Sequence, residues 1–414
     1  MQACERGYFV KKIKLRPRRG LVTTIKQNFH FWDYYLMVPY LILCLIGIVM
    51  VYSSSAAIQM QNGGTPQGYL IKQSIYVVLG IIVLIFCANF PLEHYRRRRF
   101  LQDSTIVMGT LLVIVLAIGK AVNGAKGWLN FGPVNIQPVE FCKLYFILYL
   151  ADRMARTHQK GKLLMKGESS RGALILATIY LLLILAQPDT GGFAINVCII
   201  GVMFIACDVR SWWKAVGIVI GFPLAVYFGL QLAIVNGWIH GGYRIQRFIA
   251  FMNPFGNANG SGSQLVNSYY AISNGGIFGV GLGNSVQKMG YLPEPNTDFI
   301  MAITSEELGL VGVTIILGLL MLIICRMIQL GVKSHLLYQT LICYGASTFF
   351  TIETFFNIGG VLGLLPITGV TFPFISYGGS SMLVLSATLG IIINISIRQN
   401  KARLEVGEPF LPTD

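Results

Sequence analysis

A few ionisable side chains stand in or beside long apolar runs, and their types point to acid–base and electrostatic chemistry. Asp298 closes the stretch Tyr291-Leu-Pro-Glu-Pro-Asn-Thr-Asp298, just before an apolar segment. Pro293 and Pro295 oppose helix on the approach. Asn296 or Thr297 can cap the helix that follows, which would put Asp298 in a first turn, where the helix dipole favours a carboxylate. Glu140 and Lys143 are three residues apart, on one face of a helix and at ion-pair spacing. Asp189, in Gln187-Pro-Asp-Thr-Gly191, sits at a turn, where a helix cap is the structural alternative. A carboxylate in a partly dry pocket has its pKa raised toward working pH, so Asp298 is a candidate general base. Arg244, Arg247 and Lys288 are candidates for holding phosphates. Glu306 and Glu307 follow Asp298 by two helical turns, and at least one should face protein. Glu353 lies deep in an apolar run without an evident role.

The elements that must position these groups are membrane-spanning helices. The chain has 414 residues, 54% of them hydrophobic and 12% charged, too apolar for a soluble domain of this size. Apolar segments long enough to span lie near 34–52, 71–90, 104–120, 137–152, 171–188, 190–207, 214–235, 299–326, 336–356 and 378–397. The expected fold is therefore all-α: a polytopic membrane protein of about ten transmembrane helices. Residues 1–31 form a basic cytoplasmic tail, 32–400 a single membrane domain, and 401–414 a second cytoplasmic tail. The first helix reads as an uncleaved anchor, since its apolar run is longer than that of a signal peptide.

Lysine and arginine set the orientation. The tail, Arg96 to Arg99, the 153–171 segment, Arg210, Lys214, Arg326, Lys333 and the end of the chain are basic on one side. The other side carries only Lys120, Lys126, Arg244, Arg247 and Lys288. Both termini are expected in the cytoplasm, with a large extracellular loop at 236–298 between helices 7 and 8. That loop is polar and Gly-rich, and such backbone is tolerated near a membrane only when buried or lining a wet cavity; short amphipathic or re-entrant helices are expected there. The net charge of +15 is then explained by cytoplasmic loops and anionic lipid, not by nucleic acid. The eight cysteines form no C-x-x-C pair and read as small buried residues. On this topology Asp298, Glu140, Lys143 and Asp189 share the outer half of the membrane and could converge on one cavity fit for a charged lipid headgroup.

The ordered motifs resemble those of the SEDS family (shape, elongation, division, sporulation) over about residues 32–400. Gln137-Pro-Val-Glu140 with Lys143 resembles QPSE-x-x-K, and Gln187-Pro-Asp-Thr-Gly191 resembles QPDLG. Leu292-Pro-Glu-Pro-Asn-Thr-Asp-Phe-Ile300 is similar to LPE-x-x-TDFI. Tyr243 with Arg247, Asn274-Gly-Gly276, Glu306-Glu-Leu-Gly309 and Pro373-Phe-Ile-Ser-Tyr-Gly-Gly-Ser-Ser381 complete the series. The resemblance is closest to the family's cell-division branch from Gram-positive bacteria, with the elongation branch as the alternative. There are departures: Val139 replaces a serine, Thr190 a leucine, Val280 a common lysine, and Gly127 a basic residue expected near Trp128.

The resemblance implies a peptidoglycan glycosyltransferase that polymerises lipid II at the outer face of the bacterial plasma membrane, at the division septum. It implies Asp298 as the essential carboxylate, with Glu140, Lys143 and Asp189 as polar residues of the central cavity. A divalent cation, Mg or Mn, would assist, with unknown ligands and no organic cofactor. The implied partners are a class B penicillin-binding transpeptidase and other division membrane proteins. Two other classes compete. A lipid II flippase needs polar groups reachable from both faces, and a non-catalytic scaffold needs no carboxylate at Asp298.

Overall fold

The computed structural model describes residues 28–61, 63–122, 125–130, 135–159, 168–207, 243–257, 260 and 262–406. The chain is a bundle of long helices: α1 (Tyr34–Gln61), α2 (Gly68–Asn89), short α3 (Leu92–Tyr95), α4 (Arg98–Ile118), α5 (Pro138–Gln159), α6 (Glu168–Ala186), α7 (Thr190–Cys207), short α8 (Tyr243–Met252) and α9 (Ser263–Gly275), α10 (Ile300–Val332), α11 (Leu337–Val361) and α12 (Gly379–Val406). Nine of the ten expected spans are helices. The remaining one, 214–235, lies outside the described residues, as do most of the 1–31 tail and residues 236–242 of the expected loop. Among the described residues, α1, α2, α4, α7, α10 and α12 are long and apolar enough to cross a membrane by length and composition.

Several helices outrun their apolar segments. α1 continues through Ser53–Ala57, and α12 runs to Val406, through what was expected to be a tail starting at 401. Helix propensity does not stop where hydropathy does, because i→i−4 hydrogen bonding carries a helix on into polar surroundings. The sequence also gave no sign of a small antiparallel sheet between α4 and α5: β1 (Lys120–Val122), β2 (Ala125–Asn130) and β3 (Asn135–Ile136), with Leu129 opposite Ile136. Of the cysteines, Cys44, Cys87, Cys142, Cys198 and Cys343 are buried as expected, whereas Cys325 is exposed on α10.

α12 is the central helix, almost wholly buried, and lies against α2. Small residues let the two approach. A Cβ on Gly390 would sit 2.5 Å from the Leu84 carbonyl, and one on Gly80 would sit 2.7 Å from Ser386 Oγ. Asn394 Nδ2 donates to the Cys87 and Phe90 carbonyls at the end of α2. At that same end Asp33 accepts from Arg326 of α10 and Ser396 of α12, tying three segments together. The opposite end of the bundle, where α2, α5, α10 and α12 begin, is less tightly filled.

Candidate functional site

At that looser end lies a cavity of about 390 Å³. Its wall includes Glu140 and Lys143 from the first turns of α5, and Asp189 from the turn between α6 and α7. Arg247 of α8 and Glu294 and Asp298 from the segment before α10 complete the ionisable lining. Trp128 of β2, Tyr69 and Tyr76 of α2, and Tyr377 beside α12 add aromatic surface. The expectation that Asp298, Glu140, Lys143 and Asp189 share one half of the bundle therefore holds, and they share one space.

Asp298 is not in a helical turn. α10 begins at Ile300, after Phe299, and neither Asn296 nor Thr297 caps it. The backbone of 291–299 forms successive turns closed on Glu294, whose carbonyl accepts from the Thr297 and Phe299 amides. Those turns leave Asp298 just ahead of the helix, facing the cavity. Its main chain is clamped from behind: Asn357 Nδ2 of α11 donates to the carbonyls of Asp298 (2.9 Å) and Val370 (2.8 Å). Ser376 Oγ donates to the Thr297 carbonyl at 2.7 Å, and the Tyr377 amide to the Asn296 carbonyl. Burial pushes the Asp298 carboxyl up to about 6, with Arg247 opposing the rise and Glu294 adding to it.

Gly369 sits between Asp298 and Arg247. A Cβ there would lie 3.5 Å from Asp298 Oδ2 and 3.8 Å from Arg247 Nη1, at a backbone φ of +74°. Arg247 Nη1 is itself oriented by the Ile367 carbonyl at 3.1 Å.

Lys143 is held between two carboxylates. Its Nζ donates to Glu140 Oε1 at 2.7 Å and to Glu353 Oε1 at 3.0 Å. The i, i+3 pairing was legible in the sequence; the second partner, on α11, was not. Glu353 thus has a place, behind the cavity wall. Asp189 does both things considered for it: Oδ1 accepts the Gly192 amide at 2.7 Å and so caps α7, while Oδ2 accepts from Gln137 Nε2 at 3.3 Å beside the cavity. Burial raises its carboxyl above the ordinary range.

Lys288 is a correction. It was expected to hold phosphate, yet it does not line the cavity. It is 4% exposed, and its Nζ donates to Glu307 Oε1 at 2.6 Å and to Ser53 Oγ at 3.0 Å. A buried Glu307 needs a counter-charge, and Lys288 supplies it. The Arg244 side chain lies outside the described residues. Sequence reasoning also missed Asn357 and Ser376, which act through backbone carbonyls.

No three His, Cys, Asp or Glu side chains converge as a metal-binding group among the described residues. Beside Asp298 on the cavity wall, the Glu294 carboxylate is a donor that fits a divalent cation taking its other ligands from substrate phosphates and water.

Comparison with known proteins gives a consistent picture. A family model described as Cell cycle protein, for FtsW, RodA and SpoVE, matches residues 34–401. The probable peptidoglycan glycosyltransferase FtsW of Bacillus subtilis is 37% identical over 393 residues, covering 92% of this chain and 95% of that one. Its counterpart in Lactococcus lactis is 37% identical with the same coverage. Stage V sporulation protein E of Bacillus subtilis is 34% identical over 88% of this chain and 96% of its own. Among solved structures, Thermus thermophilus RodA superposes with a TM-score of 0.60 at 24% identity, over 88% of this chain and 96% of that one. A chain from a peptidoglycan synthase complex that coordinates polymerization and crosslinking superposes with a TM-score of 0.66 at 24% identity, over 88% and 97%. At that identity the structures establish a shared fold. With the family match running from the start of α1 into the last turns of α12, the chain belongs to the FtsW, RodA and SpoVE family of cell-cycle proteins.

Proposed function

We propose that this protein is a peptidoglycan glycosyltransferase that polymerises lipid II into glycan strands, in cell division. The observation that carries this reading is Asp298: a carboxylate facing the cavity, raised to about 6, beside Arg247. The acceptor is a sugar 4-hydroxyl, a poor nucleophile at neutral pH. Asp298 takes its proton as the oxygen attacks the anomeric carbon of the donor chain. The bond from that carbon to the diphosphate oxygen breaks, and undecaprenyl diphosphate leaves with the electron pair. Single displacement with inversion needs one base, unlike the paired carboxylates of retaining glycoside hydrolysis. Arg247 is placed to meet the negative charge of the diphosphate. Lys143 is matched by two carboxylates, so its part is to shape the wall that carries Glu140. A divalent cation held by Glu294 and the substrate phosphates would supply further neutralisation of the leaving group.

The orientation that suits this chemistry places both termini in the cytoplasm and the cavity at the outer face of the plasma membrane, as the basic loops favour. Partnership with a class B penicillin-binding transpeptidase, and work at the septum alongside other division proteins, accord with relatives named FtsW and with the synthase-complex neighbour. A flippase is disfavoured because the ionisable lining is gathered at one end of the bundle.

The test is polymerisation of labelled lipid II by the purified protein with its transpeptidase, with and without Mg or Mn, comparing wild type with Asp298→Asn. Long glycan chains from wild type and none from the Asn variant are the expected result. Equal chains from both would overturn Asp298 as base; none from wild type under any condition would overturn the polymerase.

A further inference from the structure

The Gly-rich stretch from Gly276 to Gly283 makes an unusual junction with α10. At Gly309 the helix departs from helical geometry, with φ 67° and ψ −171°. In an unbroken helix the Leu310 and Val311 amides would donate to the Glu306 and Glu307 carbonyls. Here those carbonyls accept from Val280 (2.9 Å) and Gly281 (3.0 Å) instead. The Leu310 and Val311 amides donate to the Gly276 and Ile277 carbonyls, at 3.0 and 3.1 Å. The stretch is therefore a hook spliced into the break, with both donors and both acceptors of the interrupted turn satisfied. Glycine is required on both sides of the splice. A Cβ on Gly279 would lie 2.2 Å from the Glu307 carbonyl oxygen, and one on Gly309 would lie 2.3 Å from the Gly279 nitrogen.

The outside of the hook is apolar and bare. Phe278 is 82% exposed, Ile277 60% and Leu282 56%. No charged residue occurs between Gly276 and Gln287. The Asn284 amide donates to the Val280 carbonyl within the hook, and Ser285 donates to the buried Glu306 carboxylate.

The level of the hook along α10 is informative. The first ten residues of α10, 300–309, are mostly buried in protein. An exposed apolar face begins at Leu310 and continues through Val311, Ile315, Met321, Leu322 and Ile328 to Val332. From Leu310 to Val332 is roughly 33 Å at 1.5 Å per residue, close to the ~30 Å of a hydrocarbon core. The hook is bonded to the first two residues of that lipid-length face, and Phe278 and Ile277 extend it sideways. We infer that the 276–283 hook is seated at the membrane boundary at the cavity end, with the Phe278 and Ile277 side chains reaching among the acyl chains. Backbone can enter hydrocarbon only when its polar groups are paired within the protein: the four splice bonds pair the groups closest to α10, and the exposed 281–284 backbone stays at the polar boundary while the apolar side chains reach inward. The hook offers no charged side chain to anchor a docking protein. This inference concerns the lipid boundary and stands apart from the glycosyl-transfer reading.

The test places a nitroxide on Phe278→Cys, and separately on Ile277→Cys, in the full chain with Cys4, Cys207 and Cys325 replaced by Ser. The protein is reconstituted in lipid nanodiscs. Collision with oxygen, which concentrates in lipid, is compared with collision with a water-soluble nickel chelate. Ile315→Cys on the exposed face of α10 serves as the lipid reference, and Thr65→Cys in the exposed turn between α1 and α2 as the water reference. Both hook labels are expected to behave like Ile315, with oxygen collisions dominant. Behaviour like Thr65 would overturn the inference. So would shielding from both reagents, alone or once a transpeptidase is added, which would make the hook a protein-docking surface. If one cysteine variant fails to fold, the other carries the test.

Discussion

Two buried lysines on the same side of the bundle answer the same problem in different ways. Lys288 meets Glu307 in a sealed cluster: Ser53 Oγ lies 2.7 Å from each Glu307 oxygen and 3.0 Å from the lysine, so every charge has its partner. Its neighbour Glu306 is equally satisfied, accepting from Asn274, Ser285 and the Val286 and Gln287 amides. Lys143 instead sits between Glu140 and Glu353 with one carboxylate more than cations. Glu140 Oε2 and Glu353 Oε2 have no partner among the described residues. The sealed cluster ties α1, the segment before α10 and α10 together; the other forms the wall of a cavity. Charge in a membrane marks a place worth attention, but it is the surplus of polar groups facing a space that separates a site from a strut.

The sharpest way to break that distinction is Asp298→Asn. General-base removal costs typically about 10²–10⁴-fold, so polymerisation should fall at least about 100-fold. The fold should not suffer. A carboxyl raised to about 6 in the folded state binds its proton more tightly than in the unfolded chain. Its charged form therefore costs stability at neutral pH, and the cost is relieved as pH falls through that value. The Asn variant removes the charge, so its thermal midpoint at pH 7 should equal or exceed that of wild type. A clear drop in midpoint would turn Asp298 into a structural residue.

Next in size are the lysines. Lys143→Met and Lys288→Met each strand buried carboxylates, and removing one partner of a buried pair costs about 3–5 kcal/mol. The two should part company in activity per folded molecule. Lys288→Met, outside the cavity lining, should keep most of it, whereas Lys143→Met should lose most of it, because Glu140 and the first turn of α5 are released. Glycan synthesis normalised to the folded fraction measures the split. Equal losses would erase the contrast between strut and wall. Glu353→Gln sharpens it further: it removes the surplus carboxylate while leaving Lys143 its Glu140 partner, so it should cost less stability than Lys143→Met.

How far these roles could be read from sequence follows from their range. The helices were legible because each apolar run reports its own burial in lipid. Glu140 with Lys143 was legible because i, i+3 spacing is local. Glu353 had no account in the sequence because its partner is 210 residues away on another helix, and Lys288 was misassigned because Ser53 and Glu307 come from α1 and α10. Asn357 and Ser376 were silent because they grip main-chain carbonyls, which carry no sequence signature. The β1–β3 sheet was missed because its strands are two to six residues long, too short for alternation to show.

The pH profile of the reaction tests the same carboxylate without mutation. If Asp298 acts as base with a pKa of about 6, the rate should be flat above that value and fall about tenfold per pH unit below it. A profile level down to the ordinary Asp range near pH 4 would remove the base from the mechanism.

The smallest effect is expected at Gly369, which spaces Asp298 from Arg247. Gly369→Ala at φ +74° should cost about 1–2 kcal/mol through backbone strain. Its methyl, 3.5 Å from Asp298 Oδ2, would also take up room that water or substrate oxygen needs. The methyl makes ordinary contact there, so the carboxylate should remain a base, and the variant should bind the donor less well with a turnover rate close to wild type. KM rising with kcat held would place Gly369 in the substrate's path. A fall in kcat alone would show that the spacing between Asp298 and Arg247 itself is tuned for proton transfer.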